Sequence, residues 1–372
     1  MWYFLIAKKA LTAYPPKVVA FPILADSSTL LRIFVFSEMP FAFACPRAGF
    51  CMRLIMMGTG PFAVPTFRGL YETHHEVVAL VTAPVRTHRG KRVAAVSEIR
   101  DVAHEHSTPI FDPENVNTPE ARETLAEYGP DIMVVCDYGQ ILSAGTLALA
   151  RLGGINLHGS LLPKYRGAAP VNWAIYHGDD TSGVTVIHMT PKVDAGPCIA
   201  QAHAPIEADE TAIELEERLA EMGAWLIRRS IDSVEAGRLE ALPQDPAQAS
   251  KAPRLKKTDG AVDWNRTAAQ IRNQVRAFEP WPKTFTFWHR ELGKPARLIL
   301  GPIEVVAEED ASEQSATPGT VLEAAGDRLL IATGEGDARL TTIQPAGKRA
   351  MPVAEFLRGH RVQPGERFGP EK

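Results

Sequence analysis

Asn156 and His158 stand two residues apart at the end of a short apolar run, Gly154–His158, and Asp194 follows 36 residues later in Val193-Asp194-Ala195-Gly196. Alternate side chains of an extended strand share a face, so Asn156 and His158 project together, roughly 6.6 Å apart along it. An amide donor beside an imidazole suits acyl transfer: one stabilises a developing oxyanion and the other moves a proton. A carboxylate brought near the ring would orient it and favour its protonated form. Each residue also has an ordinary reading. Asn or His at a strand end is commonly a structural hydrogen-bonder, and Asp before Ala-Gly a turn former. Spacing alone leaves the two readings level. Of the eleven histidines, His74, His75, His104 and His106 read as solvated loop or helix residues.

The elements that must position these groups alternate. Leu54–Met57, Val77–Val81, Ile132–Cys136 and Gly154–His158 read as buried strands, with Val184–Met189 and Cys198–His203 as later ones. Helical stretches are expected from Pro61 to about Tyr71, near Ala94–His106, near Pro119–Tyr128 and over Glu210–Glu235. Short apolar strands between helices predict an α/β fold, a mostly parallel sheet of Rossmann-like type. Ligands of such sheets bind at the carboxyl ends of the strands, where His158 falls. Gly58-Thr59-Gly60-Pro61 after the first strand outlines a dinucleotide fingerprint, but the second strand ends Val81-Thr82-Ala83 without the acid that ribose requires. The glycines are therefore read as a tight turn, and NAD is not expected.

Beyond Gly237 comes a Pro-, Gln- and Ala-rich stretch, Leu242–Pro253, read as part of a linker over 241–256. After it a helix at Thr267–Phe278 precedes Trp281-Pro282 and short segments at Thr284–Trp288, Ala296–Val306, Gly319–Glu323, Arg328–Ala332 and Arg339–Gln344. Many short strands with Gly/Pro punctuation predict a small β-barrel over 257–372. Residues 308–313 form an acidic tract, read as an exposed loop.

The chain has 372 residues, 45% apolar and 23% charged, with a net charge of −4, which excludes disordered, collagen-like and coiled-coil classes. Its four cysteines, Cys45, Cys51, Cys136 and Cys198, are too few for a disulfide scaffold and lack zinc spacing, so they read as reduced thiols and no metal is expected. No apolar run reaches the roughly 18–20 residues of a membrane span. Residues 1–51 hold ten of the 28 aromatics and only two acids, with no clean periodicity. They are read as a leader, an upstream start before Met52 in preference to a signal or transit peptide; the catalytic domain is expected over 52–240.

The run Asn156 to Pro170, with Ser160-Leu161-Leu162-Pro163-Lys164-Tyr165-Arg166-Gly167 inside it, together with Asp194-Ala195-Gly196-Pro197, closely resembles the folate-dependent formyltransferases. Met52–Leu70 and Asp131–Leu142 look like the same family. The pieces Ala252–Gly260, Asp263-Trp264, Arg276–Pro282, Gly347–Met351 and Glu355–Gly359 resemble its tRNA-acting branch. The resemblance implies transfer of a formyl group from 10-formyltetrahydrofolate to the α-amine of initiator methionyl-tRNA. Asn156 and protonated His158 would stabilise the tetrahedral oxyanion, with Asp194 orienting His158. Tyr138, Gly139 and Ser160, Leu161, Leu162, Pro163 would hold the folate. The loop Pro84–Val93, carrying Arg86, His88, Arg89, Lys91 and Arg92, would meet the acceptor stem, its alternative being a solvated charge run. The barrel would be OB-like and lie along the tRNA, with Lys256, Lys257, Lys348, Arg349 and Arg358 as backbone contacts. A monomer in the bacterial cytosol, without DNA or membrane partners, is implied, or an organellar matrix protein if 1–51 is a transit peptide. Two departures from the family stand out: Asp137 replaces its usual Ala before Tyr138-Gly139, and Val85-Arg86-Thr87-His88 lacks its Pro/Gly pattern. Formyltransferases of glycinamide ribonucleotide or nucleotide sugars, a formyltetrahydrofolate hydrolase and a silent RNA-binding protein are the rivals.

Overall fold

The computed structural model describes residues 51–85, 97–238, 241–290, 293–306 and 316–371, with the backbone of 18–19, 87–88 and 91–92. Five parallel strands, β1 (Arg53–Met57), β2 (Glu76–Val81), β3 (Ile110–Phe111), β4 (Ile132–Cys136) and β5 (Gly154–His158), are followed by β6 (Thr181–His188) and β7 (Cys198–Pro205). The sheet order is β7-β6-β5-β4-β1-β2-β3, with β6 antiparallel to both neighbours. Val18–Val19 pairs along the outer edge of β7. The rest of residues 1–50, and the acidic tract 308–313, lie outside the described residues.

Each central strand is buried on both faces, and alternation sorts its side chains. Leu54, Met56, Ile132 and Val134 meet one core with α1 (Val64–Leu70), α2 (Glu98–Glu105), α5 (Pro170–His177) and α6 (Ala212–Glu235). Ile55, Met57, Met133 and Val135 meet the other, with α3 (Pro119–Glu127) and α4 (Ala144–Leu147). α6 begins in a reciprocal capping box between Thr211 and Glu214, which satisfies two end donors and fixes its start two residues later than the sequence suggests. The glycine turn is structural, as read. A Cβ on Gly58 would sit 2.8 Å from the Cys136 carbonyl oxygen, so the end of β4 packs directly onto it. His75 departs from expectation. It is buried, and its Nδ1 accepts from the Met52 amide at 3.3 Å. That leaves the proton on Nε2, 3.8 Å from an Asp232 carboxylate oxygen. The arrangement resembles a metal-ligand cluster with His74, but a protonated Nε2 has no lone pair to offer a cation.

The C-terminal unit follows α7 (Ala268–Ala277). One sheet holds β8 (Thr284–His289), β9 (Ala296–Leu300), β14 (Thr342–Pro345), β15 (Met351–Pro352) and β16 (Arg367–Gly369); the other holds β10 (Ile303–Val305), β11 (Val321–Ala325), β12 (Arg328–Ala332) and β13 (Asp337–Leu340). Two segments expected as single strands are bent pairs shared between the sheets: Gly301-Pro302 divides β9 from β10, and Thr341 divides β13 from β14. The Phe368 amide donating to the Gly319 carbonyl at 2.7 Å closes the barrel. α8 (Val353–Gly359) packs Val353 and Phe356 into its core.

The two units dock through α5 and α7. Phe278, ending α7, is fully buried in the core of the first unit and stacks on Tyr176, ring centroids 5.2 Å apart. Asn172 Nδ2 donates to the Ala277 carbonyl at 2.7 Å, and Arg276 Nη1 to the Glu207 carbonyl at 3.0 Å. Phe278→Ala removes a buried aromatic at this seam and should cost about 3–5 kcal/mol in denaturant unfolding; a loss below about 1 kcal/mol would mean the seam collapses freely around the gap.

Candidate active site

The carboxyl ends of β4 and β5 run side by side, Val135 opposite Asn156 and Cys136 opposite Leu157. Ile155 and Leu157 belong to the α6-side core, so Asn156 and His158 project from the other face. Asp194 arrives from the turn between β6 and β7, and all three line one cleft of about 500 Å³. Asn156 Nδ2 lies 3.4 Å from Asp194 Oδ1. His158 Nδ1 lies 3.7 Å from Asp194 Oδ2, close enough for charge attraction but beyond a hydrogen bond. The Gly167 amide donates to the same Oδ2 at 2.9 Å.

The other nitrogen of His158 settles the tautomer. Nε2 lies 2.9 Å from the Tyr165 carbonyl oxygen, which only accepts, so Nε2 carries a proton. Nδ1 is then the nitrogen facing Asp194, the one left to exchange protons. Tyr165 offers that carbonyl from a left-handed backbone, φ 62°, and Asp194 is also left-handed, φ 46°. Both conformations cost energy in a non-glycine residue and need outside support.

Much of that support comes from the segment expected to be a linker. Residues 241–256 are not a free tether. Leu242 exchanges two 2.8 Å backbone hydrogen bonds with Cys198. Lys251-Ala252 pairs in parallel with Arg166-Gly167, and Ser250 Oγ accepts from the Tyr165 amide at 2.8 Å. Gly167 is required here: φ is 130°, and a Cβ would lie 2.4 Å from the Ala252 carbonyl oxygen. Composition pointed to a linker because Pro, Gln and Ala say nothing about backbone pairing to a distant loop.

Tyr138 and Gly139 line the cleft, together with Leu142, Met189 and Val193. Ser160, Leu161, Leu162 and Pro163 do not. Ser160 is buried and donates to the Lys164 carbonyl at 2.7 Å, while the Leu162 amide donates to Thr185 Oγ1 at 3.0 Å. These four residues shape the loop directly behind the cleft wall. Of the expected tRNA contacts, Lys256, Lys257, Lys348, Arg349 and Arg358 are exposed, Arg349 pairing with Glu355 at 2.6 Å. Arg86 and Arg89 lie outside the described residues, as do the side chains of Lys91 and Arg92.

Three charged cleft residues, Asp137, Glu216 and Arg254, were not singled out as site residues. Asp137 opens to solvent but sits between the cleft walls, and this desolvation pushes its carboxyl up to about 6, with Arg254 pulling the other way. Glu216, on α6, is raised by burial first and by Asp137 second. A carboxyl raised on folding binds its proton more tightly in the native state, so its cost to stability appears as pH rises from about 4 towards 6 and persists above. Asp137→Asn should therefore raise the Tm relative to the parent at pH 8 and leave it unchanged at pH 3.5; a pH-independent difference in thermal melts would contradict the shift.

Against known proteins, residues 52–231 match the formyl transferase domain and residues 254–361 the formyl transferase C-terminal domain. The chain belongs to the formyl transferase family. Within it, a protein of Rhodopirellula baltica named methionyl-tRNA formyltransferase is 41% identical over 327 residues, covering 85% of this chain and 96% of its own. A Desulfotalea psychrophila protein of the same name is 42% identical over 312 residues, covering 84% of this chain and 94% of its own. Among solved structures, WlaRD, a sugar 3N-formyl transferase with dTDP and 5-N-formyl-THF, aligns at TM-score 0.56 and 17% identity over 81% of this chain and 100% of its own. HypX from Aquifex aeolicus, in complex with tetrahydrofolic acid, aligns at 0.53 and 18% over 83% of this chain and 47% of its own. Both share the fold.

Proposed function

We propose that this chain transfers the formyl group of 10-formyltetrahydrofolate to the α-amine of methionyl-tRNA, yielding N-formylmethionyl-tRNA. The observation that carries the reading is the gathering of Asn156, His158 and Asp194 in one cleft of a chain that matches methionyl-tRNA formyltransferases over nearly their whole length. The folate lies against Tyr138, Gly139 and the apolar wall of the cleft, with the loop Ser160, Leu161, Leu162 and Pro163 behind it. The amine nitrogen attacks the formyl carbon; a C–N bond forms and the carbonyl electron pair moves onto oxygen. Asn156 has two amide hydrogens, one directed at Asp194, and gives the other to this oxyanion. The nitrogen sheds a proton to His158 Nδ1 or, through water, to Asp194. When the oxyanion collapses, the bond to folate N10 breaks and N10 receives a proton.

On this reading residues 52–240 are catalytic and the OB-like barrel of 257–372 lies along the initiator tRNA, with Lys256, Lys257, Lys348 and Arg349 against phosphates. Arg86, Arg89, Lys91 and Arg92 meet the acceptor stem. The protein works as a monomer in a bacterial cytosol.

The test incubates the full chain with 10-formyltetrahydrofolate and initiator methionyl-tRNA and separates formylated tRNA from free formate. Formylated tRNA is expected; formate alone would identify a hydrolase, and no turnover would leave an RNA-binding protein. His158→Ala and Asp194→Asn should each slow turnover roughly 100- to 10,000-fold, with the tRNA dissociation constant little changed. A large rise in that constant would remove these residues from the chemistry. Reversing charge at Lys256 and Lys257 should weaken tRNA binding and flatten its salt dependence; an unaltered slope would return both lysines to a solvated face.

A further inference from the structure

Gln244 lies between the two units, far in sequence from every residue given a chemical role. Its Nε2 donates to the Asp194 carbonyl at 2.8 Å and to the Gly196 carbonyl at 2.7 Å. One amide nitrogen has two hydrogens, and both are spent on the same turn. Its Oε1 accepts from Arg166, from Nε at 3.0 Å and Nη2 at 2.7 Å, a two-pronged charge-assisted contact. Arg166 adjoins Gly167, whose amide holds Asp194 Oδ2. The contacts form a closed ring: Arg166 fixes Gln244, Gln244 fixes the Asp194 backbone, and the Asp194 carboxylate returns to the residue after Arg166.

The ring grips a turn with little tolerance. Asp194 is left-handed, and Gly196 is pressed so close to β6 that a Cβ would lie 1.7 Å from the His188 carbonyl oxygen. A turn of this kind relaxes when its carbonyls lose their donors. Relaxation moves the carboxylate away from Asn156 Nδ2 and His158 Nδ1, now at 3.4 and 3.7 Å. Small displacements of a catalytic group are costly because the chemistry depends on alignment.

We propose that Gln244 is a positioning residue of the active site, holding the Asp194 turn so that its carboxylate faces Asn156 and His158, and that Arg166 locks Gln244 in that role. The proposal rests on the formyl-transfer reading. Gln244 touches no reacting atom; it acts through Asp194.

The experiment uses full-length Gln244→Ala, Gln244→Glu, Arg166→Ala and the Gln244→Ala/Arg166→Ala double variant beside the parent in the formylation assay. Parent turnover tests the formyl-transfer reading separately, so the two ideas fail differently. Gln244→Glu retains the partner of Arg166 but turns an acceptor oxygen towards two carbonyls. For both single Gln244 variants kcat should fall at least about 10-fold, while KM for the folate and the tRNA stays within about twofold. The pH profile of kcat should shift, because the carboxylate beside His158 is no longer held. The double variant should be little worse than Gln244→Ala, since the two residues act as one unit. Unchanged kcat in both Gln244 variants would overturn the proposal. So would a drop in kcat with an unshifted pH profile and an equal loss of folate-binding sites, which would mean that Gln244 only keeps the protein folded.

Discussion

A carbonyl oxygen can accept a hydrogen bond but never donate one, and the active site depends on that restriction. Tyr165 turns its carbonyl onto His158 Nε2, which leaves Nδ1 as the nitrogen that faces Asp194. Whatever holds Tyr165 and Asp194 in their left-handed conformations therefore fixes how ring and carboxylate face each other. The sheet cannot do this alone, because both residues stand in loops beyond the strand ends. The support comes from a third strip of chain, residues 242–253, paired with both loops.

The same economy governs the joint between the two units. Phe278 leaves the end of α7 and completes the core beneath α5, while Arg272 and Arg276 bond to carbonyls just before α6. α5 itself starts at Pro170, directly after the catalytic loop. The helix that carries the joint and the loop that flanks His158 and Asp194 are thus continuous in the chain. Two cleft carboxyls, Asp137 and Glu216, sit in a partly dry wall, with Arg254 as the counter-charge of Asp137, and Arg254 itself follows straight on from the strip.

How much of this was legible in the sequence varied with the physics behind each feature. Strand and helix periodicity is local, so β1, β2, β4 and β5 and the shared face of Asn156 and His158 could be read from spacing. The turn reading of Gly58 and Gly60 followed from a missing acid, and packing against Cys136 and Asp137 accounts for it. Strands that bend between two sheets, such as β9 into β10, could not be separated, because the hydrophobic pattern runs on through Gly301-Pro302. Which side of the Ser160–Pro163 loop faces the cavity is set by contacts to Lys164 and Thr185 that spacing does not reveal. Gln244 was invisible for a stricter reason: its neighbours, two prolines among them, follow no periodic pattern, and its importance lies wholly in contacts about 50 and 78 residues away along the chain.

The closeness of Gly167 to Ala252 also bears on how this architecture can be recombined. The change in composition near residue 241 looks like the natural seam for exchanging one barrel for another. A crossover there would bring in a foreign strip to lie against this chain's own catalytic loop, at a spot where a Cβ is already excluded. The match to the C-terminal domain begins only at residue 254, past the strip. A crossover placed after Pro253 would instead keep the loop at Arg166-Gly167 with the strip it pairs with.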